Sequence, residues 1–239
     1  MLLSADLGQE EPRIVAVIAN DETLLGGFAT DRDIYRPATE ALYPYTASDE
    51  EDKPWKRKWE DWERFIGKTF FLAWYYGAGA SRLKQMDKNL KPKDVQRGLA
   101  MLAEAHPARQ AFLDDTMRQL QDMGFVTSLH GRKRWISKVW SPKKKEREEA
   151  LREAANMRVQ ATAADILKIA LPRIHAALQP MQTRLVSTVH DEVVIDTPPE
   201  EAPVVAEIVS TAFRDLLPGV PLILETYVGQ NWADRERLT

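Results

Sequence analysis

The stretch Thr188-Val-His-Asp-Glu-Val-Val-Ile195 sets two adjacent acids, Asp191 and Glu192, after a histidine and between β-formers. Val189 on one side and Val193, Val194 and Ile195 on the other read as strand, so the acids fall at a tight hairpin. Carboxylates at the junction of apolar strands are costly to desolvate unless a cation meets them, and their hard oxygens suit a divalent metal. A second short apolar segment ending in an acid opens the chain: Met1-Leu-Leu-Ser-Ala-Asp6. Two carboxylates about 4 Å apart repel by about 4 kcal/mol at an effective dielectric of about 20. A pair of divalent ions held between two aspartates reverses that sign and equips a site for in-line phosphoryl transfer. The sequence does not by itself join Asp6 to Asp191, and each is also compatible with a solvated turn acid. The expectation to be tested is that the two strand ends converge.

A second grouping lies between them. Arg64, Lys68, Leu72 and Tyr76 recur every four residues. At about 100° per residue each step drifts by about 40°, so all four lie within a stripe of about 120° on one helix. Two cations followed by an apolar and an aromatic group suit a nucleoside triphosphate, with its phosphates on the cations and its sugar and base at the far end. The same stripe also describes an amphipathic surface helix with snorkelling Lys and Arg. Arg152, Asn156 and Gln160 share one helical face by the same spacing.

Positioning these groups requires strands at both ends of the chain and helices between. Residues 1–20 read as a strand and then the apolar segment Ile14-Val-Ala-Val-Ile18. Residues 21–45 look helical with a loop, and 48–57 form a charged connector containing Pro54. A helix is expected over about 60–76, stopped by Gly77 and Gly79. Further helices are expected over 94–105 and from Pro107 to near Gly124, with short strands around Gly131. A long helix over 146–178 carries Pro172, which removes a donor and should kink it. A hairpin, a helix over 199–216 and a strand over 222–228 finish the chain. The fold class is α+β, one sheet-based domain with a helical insertion.

Composition bounds the setting. The chain has 239 residues, enough for a substantial core, and 0 Cys, which excludes a disulfide framework and thiolate metal sites. No apolar run approaches a membrane span and no secretory signal opens the chain, so a cytoplasmic protein without membrane attachment is expected. The net charge is -3, yet residues 129–158 hold ten Lys and Arg against four Glu, a local +6 that leaves -9 for the rest. Such asymmetry suits a surface that tracks phosphates.

The segments Asp6-Leu-Gly-Gln-Glu-Glu-Pro-Arg13, Arg64-Phe-Ile-Gly-Lys68 with Tyr76-Gly77, and Val189-His-Asp-Glu192 resemble, in order, motifs A, B and C of the family A DNA polymerases, the relatives of bacterial DNA polymerase I. Leu129-His-Gly-Arg-Lys-Arg134 resembles the family's Gly-Arg-Arg-Arg loop. Asn156-Met-Arg-Val-Gln-Ala-Thr-Ala-Ala-Asp165 resembles its Asn-x-x-x-Gln-Gly-Thr-Ala-Ala-Asp helix, and Val228-Gly-Gln-Asn-Trp232 its closing Gly-x-x-Trp. The resemblance runs from Asp6 to about Trp232. It implies a polymerase palm, an antiparallel sheet with packed helices, over 1–35 and 151–239, with the motif C hairpin at about 185–196. Helical fingers fall over 36–150.

The resemblance also implies template-directed DNA synthesis, with a nucleotide transferred from a deoxynucleoside triphosphate to a primer 3′ hydroxyl. Asp6, Asp191 and the Leu7 carbonyl would hold two Mg²⁺ ions, with Glu192 in an outer position. Arg64, Lys68, Leu72, Tyr76, Gln9, Glu11 and Tyr35 match nucleotide-binding positions, Lys68 also protonating the leaving pyrophosphate and Glu11 blocking a 2′ hydroxyl. His190, Arg152, Asn156, Gln160, Arg132 and Arg134 match positions that meet primer–template DNA. Three residues depart from the pattern: Leu72 replaces an aromatic residue, Tyr35 a histidine and Ala161 a glycine. Only five residues precede Asp6, so no thumb or exonuclease is expected in this chain, and an upstream, thumb-bearing polypeptide is expected as partner. Alternatives are a nucleotide- or primer-template-binding module without turnover of its own, and a metal-dependent nuclease in which the Arg64–Tyr76 stripe has no role.

Overall fold

The structure, a computed structural model, describes residues 1–30, 32–43, 61–88 and 90–238. The connector expected over 48–57 lies outside them. The chain divides into two compact units: Met1–Val17, Thr127–Arg132 and Arg158–Thr239 form the first, Ile18–Val126 and Lys133–Met157 the second.

The first unit is built on an antiparallel sheet. Its strands are β1 (Leu2–Leu7), β4 (Arg184–Val189), β5 (Glu192–Asp196), β6 (Leu224–Gly229) and β7 (Arg235–Arg237), in the order β4-β5-β1-β6-β7. The short strands β2 (Phe125–Thr127) and β3 (Lys133–Trp135) pair separately. The central β1 alternates: Leu3, Ala5 and Leu7 are buried on one face, while Ser4 and Asp6 look to the other. Val193 and Ile195 of β5 are buried beside them. Helix α9 (Ala202–Ala212) packs on β1 and β6 through Val205 and Val209. It is shorter than the helix expected over 199–216, and Asp215 (φ 62°) and Gly219 (φ 75°) turn the chain away after it.

The apolar segment Ile14–Ile18 falls in a helix, α1 (Glu10–Ala19). In the second unit follow α2 (Glu22–Ala29), α3 (Arg36–Leu42), α4 (Asp61–Tyr75), α5 (Ala80–Lys84), α6 (Pro92–Ala105) and α7 (Ala108–Met123). Asp21 caps α2 by accepting the Leu24 amide at 3.1 Å. The Asp21 carboxylate also accepts Tyr75 Oη and faces His106 Nδ1, each at 2.9 Å. Phe70, Phe71, Trp74 and Tyr75 make the buried face of α4. Leu120, Val126, Ile136, Val139, Ala150 and Ala154 form a second cluster where the chain leaves α7. Helix α8 (Lys144–Leu178) runs through Pro172 and contributes residues to both units. Among the described residues no helix is long and apolar enough to cross a membrane.

Candidate active site

Register places the first acids. Asp6 lies opposite Glu192 on β5 and opposite Glu225 on β6. Residues directly opposed across antiparallel strands share a face, with Cβ atoms about 5 Å apart, so three carboxylates line up across three strands. Asp191 belongs to the two-residue connection between β4 and β5, next to the Val189–Glu192 pair that closes the ladder. His190, its neighbour in that connection, is exposed and holds φ at 57°, a left-handed geometry uncommon for a non-glycine residue. Burial raises the Asp6 carboxyl above its ordinary range, and the negative charges of Asp191, Glu192 and Glu225 raise it further, with Arg235 opposing them. The strand ends expected to converge are neighbours in the sheet, paired at Asp6 and Glu192.

Glu192 has a different environment. It accepts the Trp232 indole N–H at 3.2 Å and an ion pair from Arg235, whose guanidinium also reaches Ser4 Oγ at 2.6 Å. Burial pushes this carboxyl up, but the hydrogen bonds from Arg235, Ser4 and Trp232 outweigh it and hold the group below the usual range. Trp232, the last residue of the Gly-x-x-Trp segment, thus reaches an acid of the hairpin.

Two turns position the start of α1. Gln9 (φ 56°) links β1 to the helix, and Gly8 N–H donates to Ile223 O at 2.8 Å. Arg13 fastens the same corner through Gly8 O (2.9 Å) and Pro221 O (2.8 Å). Glu10 consequently points inward and is only 7 % exposed, while Glu11 is half-buried and accepts a hydrogen bond from Gln160 Nε2 of α8. Burial pushes the Glu10 carboxyl up to about 8, with Asp191, Glu11 and Asp6 adding to the rise. Its Oε1 is buried without a hydrogen-bond partner.

This corner fits a divalent cation. It gathers carboxylates whose mutual repulsion is relieved by positive charge, and it contains a buried acceptor with no donor. Among the described residues no three His, Cys, Asp or Glu side chains are grouped closely enough to hold an ion together. An ion here would complete its shell with main-chain oxygen, phosphate and water, as Mg²⁺ commonly does. Asp6 at the end of β1, followed by Leu7, and Asp191 in the β4–β5 connection are the residues that could hold it.

The second unit presents the cationic stripe. Arg64 and Lys68 are exposed on α4, Leu72 is half-buried, and Tyr76 is buried just beyond the helix. The helix ends as the glycine foretold: Gly77 (φ 91°) donates to Trp74 O and Ala78 N–H to Ala73 O, each at 2.9 Å, a Schellman closure. Arg64 Nε donates to Asp33 Oδ2 at 3.0 Å, and its guanidinium lies 5.6 Å from the Tyr35 ring centre. Tyr35, expected at a nucleotide-binding position, is instead buried at 1 % exposure beneath that guanidinium. Arg152 and Asn156 are half-buried on α8, Arg152 with its stem against Gly77. Arg134 donates to Glu153 at 3.2 Å.

Back in the first unit, the loop before β3 docks on α8. Leu129 N–H donates to Thr162 Oγ1 at 2.9 Å, Ser128 Oγ to Asp165 at 2.7 Å, and Arg132 Nε to the same carboxylate at 2.7 Å. Two segments that the sequence sets apart, Leu129–Arg134 and Asn156–Asp165, therefore meet. Arg132 is engaged by Asp165 rather than open on all sides. Sequence reasoning missed Glu10, Asp33, Asp165 and the Trp232–Glu192 contact. The doubled glutamate at 10–11 and the Asp33 so near Tyr35 were the available signals.

An antiparallel sheet with packed helices in one unit and a set of helices in the other make the α+β architecture of a polymerase palm with a helical fingers insertion. DNA polymerase family A matches residues 1–234, and the chain belongs to that family. It is 31% identical over 235 residues to "DNA polymerase I, thermostable" of Thermus aquaticus, covering 97% of this chain and 27% of the relative. It is 32% identical over 236 residues to DNA polymerase I of Treponema pallidum (strain Nichols), covering 98% and 23%. The chain thus spans about a quarter of the length of these relatives. The fold is that of the POL domain of Pol1 from M. smegmatis, solved in complex with DNA primer-template and dNTP. The TM-score is 0.81 at 24% identity, covering 97% of this chain and 40% of that one.

Proposed function

We propose that this chain carries out template-directed DNA synthesis, a DNA polymerase activity in the cytoplasm that transfers a nucleotide from a deoxynucleoside triphosphate to a primer 3′ hydroxyl. The observation that supports it most is the strand register, which sets Asp6 of β1 opposite Glu192 of β5, next to Asp191 in the hairpin connection, across a wide gap in sequence. In this reading Asp6, Asp191 and the Leu7 carbonyl hold two Mg²⁺ ions. Bound Mg²⁺ supplies a Lewis acid that eases deprotonation of the 3′ hydroxyl and offsets charge on the phosphates. Arg64 binds the triphosphate and Lys68 gives its proton to the departing pyrophosphate. Tyr76 stands beside the templating base, and Glu11, held by Gln160, excludes a 2′ hydroxyl. Arg152, Asn156 and Gln160 meet the minor groove, where acceptors are shared among correct pairs. Arg132, Arg134 and His190 meet the primer–template strands. Glu192, engaged by Arg235 and Trp232, keeps the hairpin in shape around Asp191.

The reading includes an upstream, thumb-bearing polymerase polypeptide as partner. The test is primer extension with Mg²⁺ and deoxynucleotides, using the chain alone and then with such a fragment. Extension in either arm that Asp191→Ala abolishes is the expected result. Tight nucleotide or primer–template binding with no extension in both arms would overturn it in favour of a binding module.

A further inference from the structure

Glu10 has no role in the function proposed above. It opens α1 next to the carboxylate row, buried to 7 % exposure, and its Oε1 finds no donor. Buried carboxylates ordinarily come with a cation or several N–H groups, because leaving one unsatisfied costs its full desolvation. Arg13 donates to two carbonyls at this corner, and Arg235 to Glu192 and Ser4. The charged neighbours that act on Glu10 are Asp191, Glu11 and Asp6, all acids. An acceptor without a donor, set among like charges, is complemented by a hydrated cation.

We propose that Glu10 is a third carboxylate of the divalent-cation site at this end of the sheet, accepting a hydrogen bond from water of the ion's hydration shell. This rests on the reading that Asp6 and Asp191 hold the ion. The outer position follows from the grouping of the side chains, since no three acids or histidines among the described residues stand close enough to ligate one ion together. Mg²⁺ keeps several of its waters when bound, and those waters need acceptors.

The test is Mn²⁺ binding to the full chain without DNA or nucleotide, read as free Mn²⁺ by electron paramagnetic resonance. Wild type is compared with Glu10→Gln, which keeps the shape, with Glu10→Asp, which keeps the charge, and with Asp191→Asn. Loss of an outer-sphere partner commonly weakens metal binding about 10–100-fold, so the Kd of Glu10→Gln should rise by about tenfold or more. Glu10→Asp should retain more affinity than Glu10→Gln. Melting supplies a second readout: without metal Glu10→Gln should melt above wild type, and added Mn²⁺ should raise the wild-type melting temperature more. Wild-type Mn²⁺ affinity in Glu10→Gln, with binding lost in Asp191→Asn, would overturn the inference and leave the metal reading standing. Equal losses in Glu10→Gln and Glu10→Asp would overturn it too, as a packing effect. Unchanged binding in Asp191→Asn would instead remove the reading on which the inference rests.

Discussion

Two adjacent glutamates at the start of α1 have opposite fates, and both are open to measurement. Glu11 is half-exposed and tied to Gln160 on α8, so the side chain proposed to exclude a 2′ hydroxyl has its rotamer fixed from another helix. Glu11→Ala should raise ribonucleotide over deoxynucleotide incorporation by roughly tenfold, about 1.4 kcal/mol of barrier difference. Gln160→Leu should raise it by less, because the acid remains but is no longer held. Steady-state incorporation of matched ribo- and deoxynucleotides reads both, and an unchanged ratio in Glu11→Ala would place this acid away from the sugar. Glu10 faces inward, its pKa raised to about 8 by burial and by Asp191, Glu11 and Asp6, and the Asp6 carboxyl is raised as well. A raised carboxyl pKa means the folded chain keeps protons that the unfolded chain has released. Folding stability should therefore fall as pH rises from the ordinary value of 4.5 toward about 8. The ceiling is about 1.4 kcal/mol per pH unit for one group. In metal-free buffer the wild-type melting temperature should decline across that window more than that of Glu10→Gln, and parallel curves would refute the assignment. The sequence showed two acids side by side but not which one turns inward. That choice is made by the left-handed φ of Gln9 and by the Arg13 contacts with Gly8 and Pro221, the latter far along the chain.

At the scale of elements, α4 shows how much of the site was legible. Its cationic stripe and its glycine stop could both be read from spacing, because a helix face and a Schellman closure are local properties. What holds the helix in place could not. Gly67 sits where a Cβ would come within 2.0 Å of Thr39 Oγ1, so α4 and α3 approach at a distance only glycine allows. Thr39 is itself buried, its hydroxyl donating to Tyr35 O at 3.0 Å. Gly67→Ala would gain up to about 1 kcal/mol of helix propensity. Overpacking should outweigh this, for a net loss of about 1–2 kcal/mol in guanidinium unfolding. Adding Thr39→Ala should recover part of the loss, since it removes the nearest atom and leaves Cβ. A Gly67→Ala chain as stable as wild type would mean that the two helices are not this close. The strands divide the same way. Periodicity and the paired acids announced β1 and the β4–β5 hairpin, whereas β7, with the sequence Arg-Glu-Arg, has no apolar alternation. It exists because it pairs with Tyr227–Gly229 on β6 and because Arg235 reaches Glu192. Pairing of that kind is non-local and leaves no mark in the strand's own residues.

For the molecule as a whole, the question is how a chain of net charge -3 would bind the polyanion proposed for it. Its basic stretch over 129–158 supplies the local +6, but many of those cations already face carboxylates. Arg134 meets Glu153, Lys138 Glu149, Lys143 Glu146 and Lys144 Glu148. These pairs are solvent-exposed and worth about 0–1 kcal/mol each, so a phosphate can take over their cations at little cost. The Arg132–Asp165 pair differs: the acid is nearly buried, also accepts Ser128, and is held below the usual carboxylate range by these hydrogen bonds, which outweigh the opposing effect of burial. Breaking that pair would strand a buried charge, so Arg132 should serve the fold before it serves DNA. Anisotropy titration of a labelled primer–template from about 50 to 200 mM salt separates the two kinds of arginine. Arg134→Ala should make the slope of log K against log salt shallower by about 0.9, the share of one phosphate contact, with melting nearly unchanged. Arg132→Ala should leave the slope almost where it was and lower the stability by about 1–2 kcal/mol, because the nearly buried Asp165 loses its cation while the guanidinium itself, 41 % exposed, was already partly screened by water. If Arg132→Ala instead flattened the slope and melted like wild type, the arginine would belong to the DNA, and the docking of this loop on α8 would have to be held by Ser128 and Thr162 alone.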